Sequence, residues 1–349
     1  MSFTTDRRKL PARGFTIVEL MISLVLGLIV IGGSLALFAS HRATSGMSGQ
    51  MADVQSEGRI ALDALARDMR AAGDFGCWPV SNPPINKLST DVLPVANGGL
   101  LGYDSGTSVG SGSAYGEATV RTNLPDSSSS VVAAYGVSGS LSNVAAGHAM
   151  VSQTDDLVVK LPVQPFQAND IAVITNCINW SKFSVTSVIT DTAAKTQTLS
   201  HAAGTASGNS AGGNSDGALG ELYGVGSTVG RLDAVWWYIG TQANGDKGLY
   251  RLSARDGSPQ LVSGRINRMV ITYGMDTDAN SVVDTTVNAA GVTDWNKVMV
   301  ANIQMCIRSA NIVTAVAQST ASCAGTAAPT DKHLYLSLQE TISLRNQNP

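Results

Sequence analysis

The residues best spaced for chemistry are four oxygen-bearing side chains in the stretch DTDANSVVD: Asp276, Asp278, Asn280 and Asp284. They fall at positions 1, 3, 5 and 9 of a calcium loop, a spacing that lets alternate side chains converge on a hard cation. Ser281 stands where such loops carry their turn glycine, and position 12 is Val287 rather than glutamate. The alternative is therefore a solvated turn after the strand RMVITYG. A second chemistry is thiol oxidation. Cys77, Cys177, Cys306 and Cys323 include no C-x-x-C pair and no histidine at ligand spacing, which argues against zinc. Four cysteines in a chain that reads as exported favour two disulfides. Of the three possible connectivities, the expected one is Cys77 with Cys177 and Cys306 with Cys323. The second loop is short, and its closure is worth about 3 kcal/mol in the chain-entropy account.

Hydrolytic chemistry is not expected. The nucleophile-elbow pattern G-x-S-x-G occurs as GTSVG, GNSAG and GNSDG, all within Gly/Ser-rich stretches and none between a strand and a helix. His41, His148, His201 and His333 are scattered, with no H-E-x-x-H and no phosphate loop. The sequence thus predicts a protein that is not an enzyme and requires no cofactor, calcium at the aspartate loop being the one candidate ligand. A net charge of -3 over 349 residues with 14% charged residues carries no nucleic-acid footprint.

The third constellation is Gly14, Phe15 and Glu19. An apolar run extends from Phe15 to Ser40 and contains the single carboxylate of Glu19. Such a charge costs roughly 2.5 to 3.5 kcal/mol near the centre of a bilayer, so it calls for a partner. Arg7, Arg8, Lys9 and Arg13 precede the run, which by the positive-inside rule keeps the N-terminus cytoplasmic and places everything beyond position 41 outside. As a helix the run would be roughly 39 Å long, enough to span a hydrocarbon core of about 30 Å. Cleavage between Gly14 and Phe15 would remove the basic leader and free an amine about one turn from Glu19. A neighbouring subunit displaced by about a turn could then pair its amine with this carboxylate.

RGFTIVELMISLVLGLI resembles the prepilin signature of type IV pilins and type II secretion pseudopilins. The resemblance implies a leader peptidase that cuts after Gly14 and methylates Phe15, and a docking role for Glu19. Further segments, ARDMRAAGDFGCW, AVITNCINWSKFSVTSV, GLYRLSARDGSPQLVSGRINRMVITYGMDTDANSVVD, VTDWNKVMVANIQMCIRS and ETISLRNQNP, are similar to PilW-type minor pilins. That resemblance implies a structural subunit that primes pilus assembly or caps the tip. Its implied partners are other minor and major pilins, prepilin peptidase, the inner-membrane assembly platform and a tip adhesin. Its implied course is single-pass insertion in the inner membrane with a periplasmic head, then entry into the pilus. The rivals are a type II secretion pseudopilin and a tip adhesin or DNA-uptake binding module.

The elements that must position these groups follow from the hydrophobic pattern. Residues 1–14 read as a leader, 15–40 as a transmembrane and assembly helix, 41–73 as its amphipathic continuation, and 74–349 as a disulfide-containing β-rich head. No proline occurs from Ala12 to Trp78. Val54, Ala61, Leu62, Leu65, Met69 and Ala72 fall on one stripe, with Arg59, Asp63, Arg67 and Arg70 opposite, Asp63 and Arg67 at ion-pair spacing, and Gly73 a stop. Alternating β-branched runs such as AVWWYIG, RMVITYGM and KVMVANIQMCIRS predict a mainly antiparallel sheet, hence an α+β fold. Residues 104–116, 126–130 and 200–220 are low in complexity and read as surface loops. Trp236 and Trp237, adjacent in a strand, must face opposite sides, one to the core and one to a second layer or interface.

Overall fold

A computed structural model describes residues 16–77, 84–90, 99–105, 109, 117, 120, 129–204, 213–312, 323 and 332–344. The chain divides into two compact units, Met1–Ala52 and Asp53–Pro349, and one helix, α1 (Ile17–Arg70), contributes to both. In the first unit every large apolar side chain from Ile17 to Phe38 is exposed. The helix is long and apolar enough to cross a membrane, and its most apolar window has no buried share. A helix that is apolar all round has no internal core to face; its solvent must come from outside the chain.

In the second unit the same helix is amphipathic. Val54, Ala61, Leu62, Leu65, Met69 and Ala72 are all buried, whereas Arg59, Asp63, Arg67 and Arg70 are exposed. Asp63 and Arg67 do not pair; the helix sends Arg70 to Glu340 instead, at 3.1 Å. Gly58 marks the closest approach, since a Cβ there would lie 2.5 Å from Leu338 Cδ1. Gly73 terminates the helix as expected: it adopts φ 77° and donates its N–H to the Tyr135 carbonyl at 2.8 Å.

Fifteen strands follow among the described residues: β1 (Ile85–Asn86), β2 (Leu100–Tyr103), β3 (Val131–Asn143), β4 (Leu157–Lys160), β5 (Ile171–Thr175), β6 (Trp180–Ser184), β7 (Ser187–Asp191), β8 (Thr196–Ser200), β9 (Thr228–Thr241), β10 (Lys247–Ser253), β11 (Gln260–Ser263), β12 (Ile266–Met275), β13 (Thr285–Val287), β14 (Val298–Ile312) and β15 (His333–Ser343). They form an eight-stranded sheet in which β9 is the spine, with β3 on one edge and β5 then β10 on the other. A four-stranded sheet has the order β13-β12-β14-β15, and a three-stranded one β4-β8-β7. All pairings are antiparallel except β1 with β6.

Period-two alternation along β9 separates two cores. Trp237 and Ile239 join the helix stripe and the four-stranded sheet, whereas Trp236 and Tyr238 join Phe75, Tyr135 and Trp180 on the opposite face. Both tryptophans are fully buried, so the second layer is a core in its own right. A third cluster, with Val159, Phe183, Leu199 and Tyr223, fills the space under the three-stranded sheet.

The low-complexity stretches are not simply surface loops. Ser129 and Ser130 are buried, and the Ser130 hydroxyl accepts the Ile271 N–H at 3.1 Å. Asn214 is a buried plug: its Oδ1 accepts the Ser184 N–H at 2.7 Å, and its Nδ2 donates to the carbonyls of Ser184 and His201. Ser130 and Asn214 are tolerated inside because each meets a partner, whereas the buried Ser129 hydroxyl has none among the described residues.

Candidate functional site

Gly14 and Phe15 lie outside the described residues. The first described turn explains part of the glutamate that follows them. The Thr16 hydroxyl accepts the Glu19 N–H at 3.2 Å, and Glu19 Oε2 receives both the N–H and the hydroxyl of Thr16 at 3.5 Å. Thr16 and Glu19 thus form a reciprocal capping box, T-x-x-E, on donors that the helix leaves unpaired at its start. The bonds made by Glu19 Oε2 are long, and the side chain is exposed. The spacing was present in the sequence as a local cap signal, separate from any partner subunit. Glu19 also sits in the first turn, where the helix dipole favours a negative charge.

The aspartate loop connects β12 to β13. It brings the carboxylates of Asp276, Asp278 and Asp284 together, one oxygen of each lying within 4.8 Å of the others. Asn280 does not aim its oxygen the same way: Oδ1 accepts the Val282 N–H at 2.8 Å, while Nδ2 donates to Asp278 Oδ2 at 3.0 Å. Val287 is the last residue of β13, paired with Tyr273, and brings no oxygen ligand at position 12. Ala279 and Ser281 take left-handed conformations at φ 61° and 65°, and Ser281 stands where calcium loops place their glycine. The Asp276 carboxylate accepts N–H groups from Ser281 at 2.7 Å and Asn280 at 3.2 Å. Asp284 Oδ2 accepts the N–H and hydroxyl of Thr277 at 2.7 and 2.6 Å. Burial works against ionisation of Asp276, yet these N–H donors outweigh it and hold the carboxyl below the ordinary range. The Asp284 carboxyl is lowered by Thr277, hydroxyl first and N–H second. The chemical set is anionic oxygen only, which suits a hard divalent cation and no softer metal.

Two disulfides secure the head. Cys77, just past the helix, bonds Cys177 in the turn after β5, with Cα atoms 5.2 Å apart. Cys306 on β14 bonds Cys323, with Cα atoms 5.4 Å apart. The first closes a separation of 100 residues and ties the helix exit to the eight-stranded sheet. One tie went unseen in the sequence: Asp68, on the helix, accepts Trp237 Nε1 at 2.9 Å and Arg251 Nε at 2.7 Å. Only the fold brings these three residues, distant in sequence, to one point.

Of the three G-x-S-x-G serines, Ser215 is the described one, and its hydroxyl donates to the Lys87 carbonyl at 3.2 Å in an exposed bend. His201 turns both ring nitrogens to the carbonyls of Gly217 and Asp155. No nucleophile and base are brought together at Ser215.

Residues 10–35 match the family model described as the prokaryotic N-terminal methylation motif. Residues 236–346 match the model of the Type IV Pilus-assembly protein W, spanning the end of β9, β10 to β15 and the aspartate loop. No curated protein matches the chain. The methylation motif at the start of an exposed apolar helix, and the pilus-assembly region on the sheets that bury its second half, together support a type IV pilus minor pilin of the PilW type.

Proposed function

We propose that this minor pilin is made as a precursor held in the inner membrane by the first half of α1, with the head in the periplasm, and is cut after Gly14 and methylated at Phe15. It then enters a priming or tip complex with other minor pilins, the major pilin and a tip adhesin, through the assembly platform. Its role is structural and non-enzymatic. The observation that supports this reading most is the exposed carboxylate of Glu19 at the start of a helix half that buries none of its large apolar side chains between Ile17 and Phe38. An amine at Phe15 would lie about one turn away, and an offset neighbour would present its own amine to Glu19.

The test compares wild type with Glu19→Ala. Membrane insertion and leader cleavage are expected to be unchanged, because removing a charge eases insertion. Incorporation into sheared pili is expected to fall about a hundredfold, in line with breaking a buried ion pair at roughly 3 to 5 kcal/mol. Equal pilus content would leave Glu19 with its capping role alone. The N-terminal peptide mass reads cleavage and methylation separately, and a mature start beyond Ala39 would overturn the pilin processing. The aspartate loop we read as a calcium site: millimolar calcium should raise the melting temperature of the full-length protein, and Asp276→Asn should abolish the rise. A calcium response unchanged in Asp276→Asn would remove the loop from consideration.

A further inference from the structure

A polar cleft of about 480 Å³ opens on the face of β9 and β10 beside the segment joining β4 to β5. Arg231, Arg251 and Arg255 line it together with Asp233 and Asp256. The charges are unequally matched. Arg251 is paired with Asp68 at 2.7 Å and Arg255 with Asp170 at 2.6 Å. Asp233 is occupied otherwise: it accepts the Ser253 hydroxyl at 2.6 Å, the Ala234 N–H at 2.8 Å and the Arg255 N–H at 3.2 Å.

Arg231 is the exception. It is 7% exposed, on the central strand, and makes no ion pair among the described residues. Its hydrogen bonds both leave from Nη2, to Gln164 Oε1 at 2.9 Å and Ser138 Oγ at 3.3 Å, each a neutral acceptor. Its Nε is buried with no acceptor at all. Arginines are seldom buried this far without a counter-ion, because an uncompensated charge in a low-dielectric site is costly. Asp256 lies 3.8 Å from Arg255, so the charge of Arg231 is the one cationic charge of the cleft that no carboxylate meets directly among the described residues. That charge suits a monoanion; a phosphate would bring a second negative charge toward Asp233 and Asp256. A guanidinium fork also matches the planar geometry of a carboxylate. Val163, on the same wall, is 91% exposed and offers an apolar contact beside the charge.

We propose that this cleft binds a single peptide carboxylate, borne by an acidic side chain or a chain terminus next to an apolar residue, at the guanidinium of Arg231. The carboxylate supplies the acceptors that Gln164 and Ser138 provide only in neutral form. The inference is independent of cleavage, of Glu19 and of the calcium loop.

The full-length protein in detergent is titrated with three probes: Ac-Val-Glu-Val-NH2, Ac-Val-Val with a free C-terminus, and Ac-Val-Gln-Val-NH2. At least one carboxylate peptide is expected to bind about tenfold more tightly than the glutamine peptide, the usual margin of a charge-assisted over a neutral hydrogen bond. Preference for the first probe assigns an acidic side chain, and preference for the second assigns a chain end. Two variants locate the site. Arg231→Gln removes the charge, and Gln164→Glu supplies a carboxylate of its own, 2.9 Å from Nη2 in the parent geometry. Both should erase the tenfold preference. Gln164→Glu should also raise the melting temperature by about 2 °C, showing that lost binding is not lost folding. Equal binding of all three peptides, binding of none up to about 10 mM, or tighter binding of inorganic phosphate would overturn the proposal. So would a preference that survives in Gln164→Glu.

Discussion

The two halves of α1 are one helix by hydrogen bonding and two different objects by solvation. From Ile17 to Phe38 the apolar side chains are exposed on every side, and the carboxylate among them makes long bonds to its own cap. From Asp53 to Arg70 the apolar residues narrow to a stripe, every member of which named from the periodicity is buried. There Asp68 has two close donors in the head. The first half leaves its environment to lipid or to other subunits; the second finds its environment in its own chain. Helix propensity alone does not separate the two, since both are helical throughout. What separates them is whether polar residues alternate with apolar ones every turn.

The comparison is broken most directly by deleting the same atoms from each half. Leu65→Ala, at a fully buried position, should lower head stability by about 2 to 5 kcal/mol in a denaturant titration of the full-length protein. Leu24→Ala, at a position 57% exposed, should leave the same transition within about 0.5 kcal/mol. Comparable losses would mean that the first half is folded against the head. A smaller effect is expected at the charges. Asp68→Asn keeps the shape but removes the ion from the Arg251 pair and weakens the bond to Trp237, at a cost of about 1.5 to 3 kcal/mol. Trp237→Phe in the same background should then cost less than it does in wild type, and strict additivity would show that the node does not act as a unit.

Much of this arrangement was legible in the sequence, for reasons that the exceptions make clear. The helix, its stripe and its stop at Gly73 were readable because proline-free periodicity and a glycine at the end are local signals. AVWWYIG, RMVITYGM and KVMVANIQMCIRS were readable as strands because branched and aromatic residues alternate there. β3, in VVAAYGVSGSLSN, was not, although it pairs along most of β9. Its Ser and Gly residues carry little β signal of their own and are held by the strand beside them. Asn214 was hidden for a similar reason: its burial follows from the acceptors and donors that β6 and His201 present, not from its Gly/Ser-rich neighbours. Of the candidate sites, the clustering of Asp276, Asp278 and Asp284 followed from their spacing, whereas the rotation of Asn280 toward Val282 did not. The cleft at Arg231 had no signal in the sequence, because its walls come from four separate segments that only the eight-stranded sheet and its flanking loop bring together.

The finest distinction concerns carboxylates within the head and is read by pH. Burial pushes the Asp233 carboxyl up, against the opposing donors Ser253, Arg255 and Ala234, with Asp256 adding to the rise. A carboxyl whose folded value is raised holds its proton more tightly folded than unfolded. Its stabilisation is therefore complete below the ordinary aspartate range and is lost as pH rises through the folded value. Asp276 has the opposite sign: its carboxyl is lowered, so its stabilisation is present above the ordinary range and is lost as pH falls through the folded value. Melting temperatures taken from pH 3 upward to pH 7, in a chelator so that no cation contributes, should show this as two opposite trends. Asp233→Asn should gain on wild type as pH rises, whereas Asp276→Asn should fall behind it. For Asp233 the whole difference accumulated across the titration amounts to about 1.4 kcal/mol for each pH unit by which the carboxyl is displaced. Parallel curves for wild type and Asp233→Asn would show that the Ser253, Arg255 and Ala234 donors cancel the burial, leaving that carboxylate as settled in the head as it would be in water.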